Sequence, residues 1–167
     1  MFNTGSSKTR TFMFTVALTL ALMVVSSITA SAQGKPARIY IGGEFDVPVP
    51  DSCAFPINQH FNTNNEYILI FPGDHPLIVT GQAKATISNE ITGKSLDLNI
   101  SGPALITPSS TTTTVTLLGR STLFVGNHGG MWLTSGPVVV LVDASNQIIS
   151  YSMTAPDAAL DLCQALA

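Results

Sequence analysis

Beyond residue 36, apolar runs of four to eight residues recur between clusters of Gly, Pro, Asn and Asp, which is how strands rather than helices are punctuated. The clearest pair is 82–88 (QAKATIS) and 95–101 (SLDLNIS). Ala83, Ala85 and Ile87 alternate with polar neighbours, and so do Leu96, Leu98 and Ile100. A period of two with one apolar face predicts a half-buried antiparallel hairpin. Pairing Ile87 with Leu96, Ala85 with Leu98 and Ala83 with Ile100 puts all six on one face. It leaves Glu90-Ile91-Thr92-Gly93 as a four-residue loop in which Gly93 can take positive φ. A two-residue turn would force Ile91 and Thr92 to positive φ, which β-branched side chains resist.

The same reading predicts strands over residues 38–45, 53–61, 66–71, 77–80, 112–118, 122–125, 131–134, 138–142 and 147–154. Residues 138–142 (VVVLV) have no polar member and predict a central strand covered on both faces. Gly42-Gly43 reads as a bulge or bend, and Asp143-Ala144-Ser145-Asn146 as a turn. In 147–154, Ile149, Tyr151 and Met153 share a face. Only residues 158–166, opened by Pro156-Asp157, have a helical composition. Leu160, Cys163 and Leu166 recur there at i, i+3, i+6, a stripe expected to lie on the β-core and close one of its ends. The fold class is therefore all-β, a single antiparallel sandwich or barrel with a short C-terminal helix.

The N-terminus adds a compartment. Lys8 and Arg10 precede an uncharged apolar stretch over 11–25, and Ala30-Ser31-Ala32 follows as an A-x-A cleavage site. This predicts a secretory signal over residues 1–32 and a single domain over 33–167, secreted or otherwise extracytoplasmic. The rival is an uncleaved anchor over Phe12–Ala30, which could nearly span a bilayer, but the apolar core of about 15 residues before the A-x-A site is shorter than the roughly 20 that a spanning helix wants. Cleavage would leave five basic residues (Lys35, Arg38, Lys84, Lys94, Arg120) against ten acidic ones. A surface with that excess repels phosphate backbones and anionic headgroups, which argues against nucleic acid and, after cleavage, against membrane. Charged residues make up only 10% of the chain, so Thr, Ser, Asn and Gln must cover the surface. Cys53 and Cys163 are the only cysteines, and in an oxidising space they can pair in one way. Nothing in the sequence sets an oligomeric state.

The start at Cys53-Ala54-Phe55-Pro56, the hairpin running from Ile91 through Gly93-Lys94-Ser95 to Gly102-Pro103, and the ending Asp161-Leu162-Cys163-Gln164-Ala165-Leu166 together resemble a group of small exported bacterial proteins of unknown function. The resemblance spans most of residues 33–167. It implies a bacterial source and a Cys–Cys bridge, and it carries no catalytic residue to transfer.

Chemistry is sparse. Gly93-Lys94-Ser95 ends like a phosphate loop, but Ser88 stands where the first glycine is needed and no helix follows. No G-x-S-x-G elbow occurs. His60, His75 and His128 lack metal-pair spacing and lie near loop signals, and no acidic run has calcium spacing. A metal, cofactor or catalytic group is therefore not predicted. Trp132, the single tryptophan, and Tyr40, Tyr67 and Tyr151 are the residues that could stack on a sugar face, with His60 and His128 as further ligand-surface candidates. These features point to a secreted, non-catalytic β-module, structural or binding a cell-wall or environmental polymer such as a polysaccharide. The alternative is a small β-barrel around an apolar ligand, or a hydrolase whose residues meet only in space.

Overall fold

The computed structural model describes residues 35–49, 51–126 and 128–167, all within one compact unit, Ser31–Ala167. The predicted signal, 1–32, lies outside the described residues. Among these the strands form three antiparallel sheets. Seven make one sheet, in the order β1 (Ala37–Tyr40), β4 (Tyr67–Ile70), β5 (Leu77–Thr80), β8 (Ala104–Pro108), β9 (Thr112–Leu117), β12 (Val138–Asp143) and β13 (Ile148–Met153). A second holds β2 (Phe45–Val49), β3 (Ile57–Asn64), β6 (Ala83–Asn89) and β7 (Ser95–Asn99), and a third β10 (Arg120–Val125), β11 (Gly130–Ser135) and β14 (Leu160–Asp161).

The three sheets are parts of one meander. The register that sets Leu117 opposite Val138 in β9–β12 continues unshifted to Arg120 opposite Ser135 in β10–β11. Val79 opposite Ala104 runs likewise into Lys84 opposite Asn99, and Tyr67 opposite Thr80 into Asn64 opposite Ala83. The chain thus travels as seven long ribbons, each paired only with its neighbours in sequence and each broken near its middle. The breaks fall at sites such as Gly42-Gly43, Gly81, Gly102, Gly119 and Gly136. A Cβ on Gly81 would lie 2.4 Å from the Asn65 carbonyl oxygen, so the crossing of two ribbons there requires its absence. On one side of the breaks all seven ribbons pair. On the other, β7 and β10 are not neighbours, and the sheet parts into the four-stranded and three-stranded halves.

The core fills the gap between the parted halves. Val49, Ile57, Ala83, Ala85, Ile87, Leu98 and Ile100 contribute from the four-stranded side and Met131 and Leu133 from the three-stranded side. Gln59 and Thr122 bridge the two sheets, the Thr122 hydroxyl donating to Gln59 Oε1 at 3.2 Å. At the end of the gap, α1 (Leu162–Leu166) buries Leu162 and Leu166 completely. The Cys53–Cys163 disulfide ties this helix to the turn between β2 and β3. Every sheet stays open at both edges, so the all-β antiparallel prediction holds with a sandwich-like half and no closed barrel.

The predicted hairpin register is observed: Ile87 faces Leu96, Ala85 faces Leu98, the Ile100 N–H donates to the Ala83 carbonyl, and Gly93 has φ 73°. Four expectations are corrected. The strand expected over 38–45 is two, β1 and β2. β12 is covered on one face only, since Val138, Val140 and Val142 are buried while Val139 is 43% exposed. The helix begins at Leu162, capped by the Asp161 carboxylate accepting from Gln164 N–H; Pro156–Ala158 is instead a separate 3-10 turn. Leu160 therefore lies on β14, 46% exposed, and the buried pair is Leu162 and Leu166 rather than the i, i+3, i+6 stripe.

Candidate functional site

Along β11 the alternation sends Met131 and Leu133 into the core and turns Trp132 to the opposite face. Its ring folds back over Gly130, where a Cβ would sit 2.5 Å from the ring edge. The seventh ribbon leaves β12 after Met153, arches through the 3-10 turn at Pro156–Ala158, and rejoins the three-stranded sheet at β14, opposite Trp132. Under this arch Trp132, Tyr151, Met153, Pro156 and Ala159 line an open groove of about 270 Å³. The Trp132 and Tyr151 rings stand 6.0 Å apart, tilted by 38°. No lining residue is charged. Asp161, paired with Trp132 across the ladder, has its carboxylate committed to the helix cap. Such a groove offers two aromatic faces, and its lining holds no carboxylate, histidine, serine or cysteine.

The other candidates are placed elsewhere. Tyr40 and Tyr67 are cross-strand partners at the opposite edge of the seven-stranded sheet. The Tyr40 hydroxyl donates to the Asn64 carbonyl at 2.9 Å, and the Tyr67 ring lies under the Arg38 guanidinium, 3.5 Å from its centroid. The four aromatics therefore fall into two pairs at opposite edges of the fold, Tyr40 with Tyr67 and Trp132 with Tyr151, and only the second pair lines the groove. His128 occupies the β10–β11 turn at φ 61°, its N–H donating to the Asp51 carbonyl.

His60 lies on the solvent face of the four-stranded sheet, with Nδ1 3.0 Å from Asp46 and Nε2 3.4 Å from Glu44. Asn58 also donates to Asp46 at 2.9 Å, and this bond, with that from His60, holds the Asp46 carboxyl below its ordinary range. Both ring nitrogens thus face carboxylates, so this Asp–His pair is not aimed at a hydroxyl that it could activate. Among the described residues no group of three or more His, Cys, Asp or Glu is placed to hold a metal ion.

The sequence does not single out Met153, Pro156 or Ala159 as groove residues. The shared face of Ile149, Tyr151 and Met153 is legible in it, but the arch is hidden because Pro156-Asp157 reads as the start of the helix. Comparisons with protein-family models, curated proteins and solved structures found nothing that matches the chain.

Proposed function

We propose that this protein is an exported, non-catalytic β-module that holds an uncharged polysaccharide, of the cell wall or the surroundings, against Trp132 and Tyr151. The observation that carries the reading is the groove itself: two tilted aromatic rings in an open groove with no charge in its lining. Pyranose rings present apolar C–H faces that pack on aromatic faces, whereas a charged polymer would call for side chains of the opposite charge in the lining. The resemblance to small exported bacterial proteins and the disulfide both fit an oxidising space outside the cytoplasm. Among the described residues no helix is long and apolar enough to cross a membrane.

The barrel alternative finds no support in sheets that are open at both edges. The hydrolase alternative finds none in an Asp46–His60 pair that faces a second carboxylate. Co-sedimentation with insoluble cellulose, chitin and purified peptidoglycan tests the proposal. The protein should pellet with at least one of them, and Trp132→Ala should weaken that binding at least tenfold. If the protein binds none, or if Trp132→Ala binds equally well, the reading is wrong.

A further inference from the structure

Of the five methionines in the chain, Met1, Met13 and Met23 fall within the predicted signal, which leaves Met131 and Met153 for the domain. These two stand in opposite surroundings. Met131 is fully buried in the core between the parted sheets. Met153 is half-buried and lines the open groove together with Trp132 and Tyr151. It pairs with Val138 as Tyr151 pairs with Val140, so the Met153 and Tyr151 side chains lie on one face of β13. Both cysteines are joined in the Cys53–Cys163 disulfide, so no thiol of the chain competes for an oxidant. Susceptibility to oxidation follows exposure, and among the described residues the Met153 thioether is the accessible oxidisable sulfur.

We propose that Met153 is an oxidation site, where a hydroperoxide such as hydrogen peroxide converts the thioether to the sulfoxide and changes the groove from apolar to polar. A sulfur lone pair attacks one peroxide oxygen, so that an S–O bond forms as the O–O bond breaks. Sulfur loses two electrons and the peroxide gains them. The departing hydroxide takes the proton from the transferred oxygen and leaves as water. The product is a polar, chiral side chain in place of a flexible apolar one. Its oxygen is an acceptor, and the only side-chain donors in the lining are the Trp132 indole N–H and the Tyr151 hydroxyl. The sulfoxide therefore draws water into the groove or turns one of the two rings toward itself. Either change alters the surroundings of Trp132. The effect on a bound polymer rests on the polysaccharide reading: sugar C–H faces would then meet a hydrated sulfoxide instead of an apolar wall.

The test is a hydrogen peroxide titration of the full folded protein from an exporting host. Peptide mapping by mass spectrometry, tryptophan emission and pelleting with cellulose, chitin and peptidoglycan are read in parallel. Trp132 is the single tryptophan, so emission reports on the groove alone. Met153 should gain one oxygen at least tenfold faster than Met131, and emission should change at the rate of Met153 oxidation. Methionine sulfoxide reductases of both epimer specificities should restore it. Met153→Leu, which keeps an apolar side chain without sulfur, should hold its emission constant under the same peroxide. Any polymer that pellets the untreated protein should bind the oxidised protein at least threefold more weakly.

The proposal is overturned if Met131 is oxidised as fast as Met153, or if emission stays constant while Met153 is oxidised. It is overturned equally if Met153→Leu emission changes as fast as that of the wild type, or if a polymer binds the oxidised and untreated proteins alike. Mass and emission need no ligand, so an untreated protein that pellets with no polymer refutes the polysaccharide reading while the oxidation site is still decided by those two measurements.

Discussion

Gly102 and Gly119 meet backbone to backbone: a Cβ on Gly119 would lie 2.9 Å from the Cα of Gly102. The Gly102 N–H also donates to the Arg120 carbonyl at 2.8 Å, the last bond between these two ribbons before β7 and β10 separate. The point at which one sheet becomes two is therefore a contact that only glycine permits.

Gly102→Ala should be among the most damaging single-methyl additions in the chain. Its Cβ would fall 2.5 Å from the Arg120 carbonyl oxygen and 2.7 Å from the Arg120 nitrogen, both backbone atoms in a paired ribbon. Overpacking of this kind costs about 3 kcal/mol, or roughly 10 °C in melting temperature for a domain of this size. Gly126→Ala, where nothing lies within 4 Å of the added methyl, is the control and should melt close to wild type. Equal melting of the two variants would mean that the ribbons are free to part elsewhere.

The C-terminal helix can be tested with two leucines two positions apart. Leu162 is fully buried between the parted sheets, and Leu162→Ala should cost about 2–5 kcal/mol in chemical denaturation. Leu160, 46% exposed on β14, should tolerate alanine within about 0.5 kcal/mol. Truncation after Asp161 would do more than remove two leucines, because the buried Asn89 amide donates to the Leu166 carbonyl at 3.1 Å and would lose its partner.

Two carboxyl groups should give stability opposite dependences on pH. Burial raises the Glu66 carboxyl above its ordinary 4.5, against a smaller opposing effect from a hydrogen bond with Asn64. Folding thus favours its protonated form, a contribution complete below about pH 4.5 and lost as pH rises through the raised value. Glu66→Gln should therefore melt higher than wild type at pH 7, with the gap closing as the pH falls below 4.5. Asp46, held low chiefly by Asn58 and then His60, contributes above its ordinary 3.8 and loses that contribution as acid protonates it. Asp46→Ala should melt lower than wild type at pH 6 and match it at the acid end. Melting curves over pH 3–7 check both signs.

The parts of this fold legible in the sequence are those set by neighbours along the chain. The β6–β7 hairpin could be placed to the residue because Ala83, Ala85 and Ile87 alternate strictly and Gly93 marks the turn. β8 left no such trace, since Ala104-Leu105-Ile106 shows no alternation and Pro103 and Pro108 bracket it. The predicted strand over 38–45 is two strands, β1 and β2. They separate at Gly42, where the backbone crosses the second ribbon so closely that a Cβ would lie 2.1 Å from the Asn64 carbonyl oxygen. Trp132 and Tyr151 could each be named, but their meeting depends on the seventh ribbon arching from β13 to β14. That path is set by packing across the sheet, which no local period records.

The nearest-neighbour pairing of the seven ribbons also bears on how the molecule forms. In the wholly paired half each ribbon needs only the one before it, so hairpins can be added in order as the chain appears, with short loops to close and little entropy lost at each step. The parted half obeys a different rule. Its core includes Val49 near the start and Leu166 at the end, so it stays incomplete until the last residues arrive. One set of ribbons thus yields a half held by local contacts and a half whose core joins residues more than a hundred positions apart.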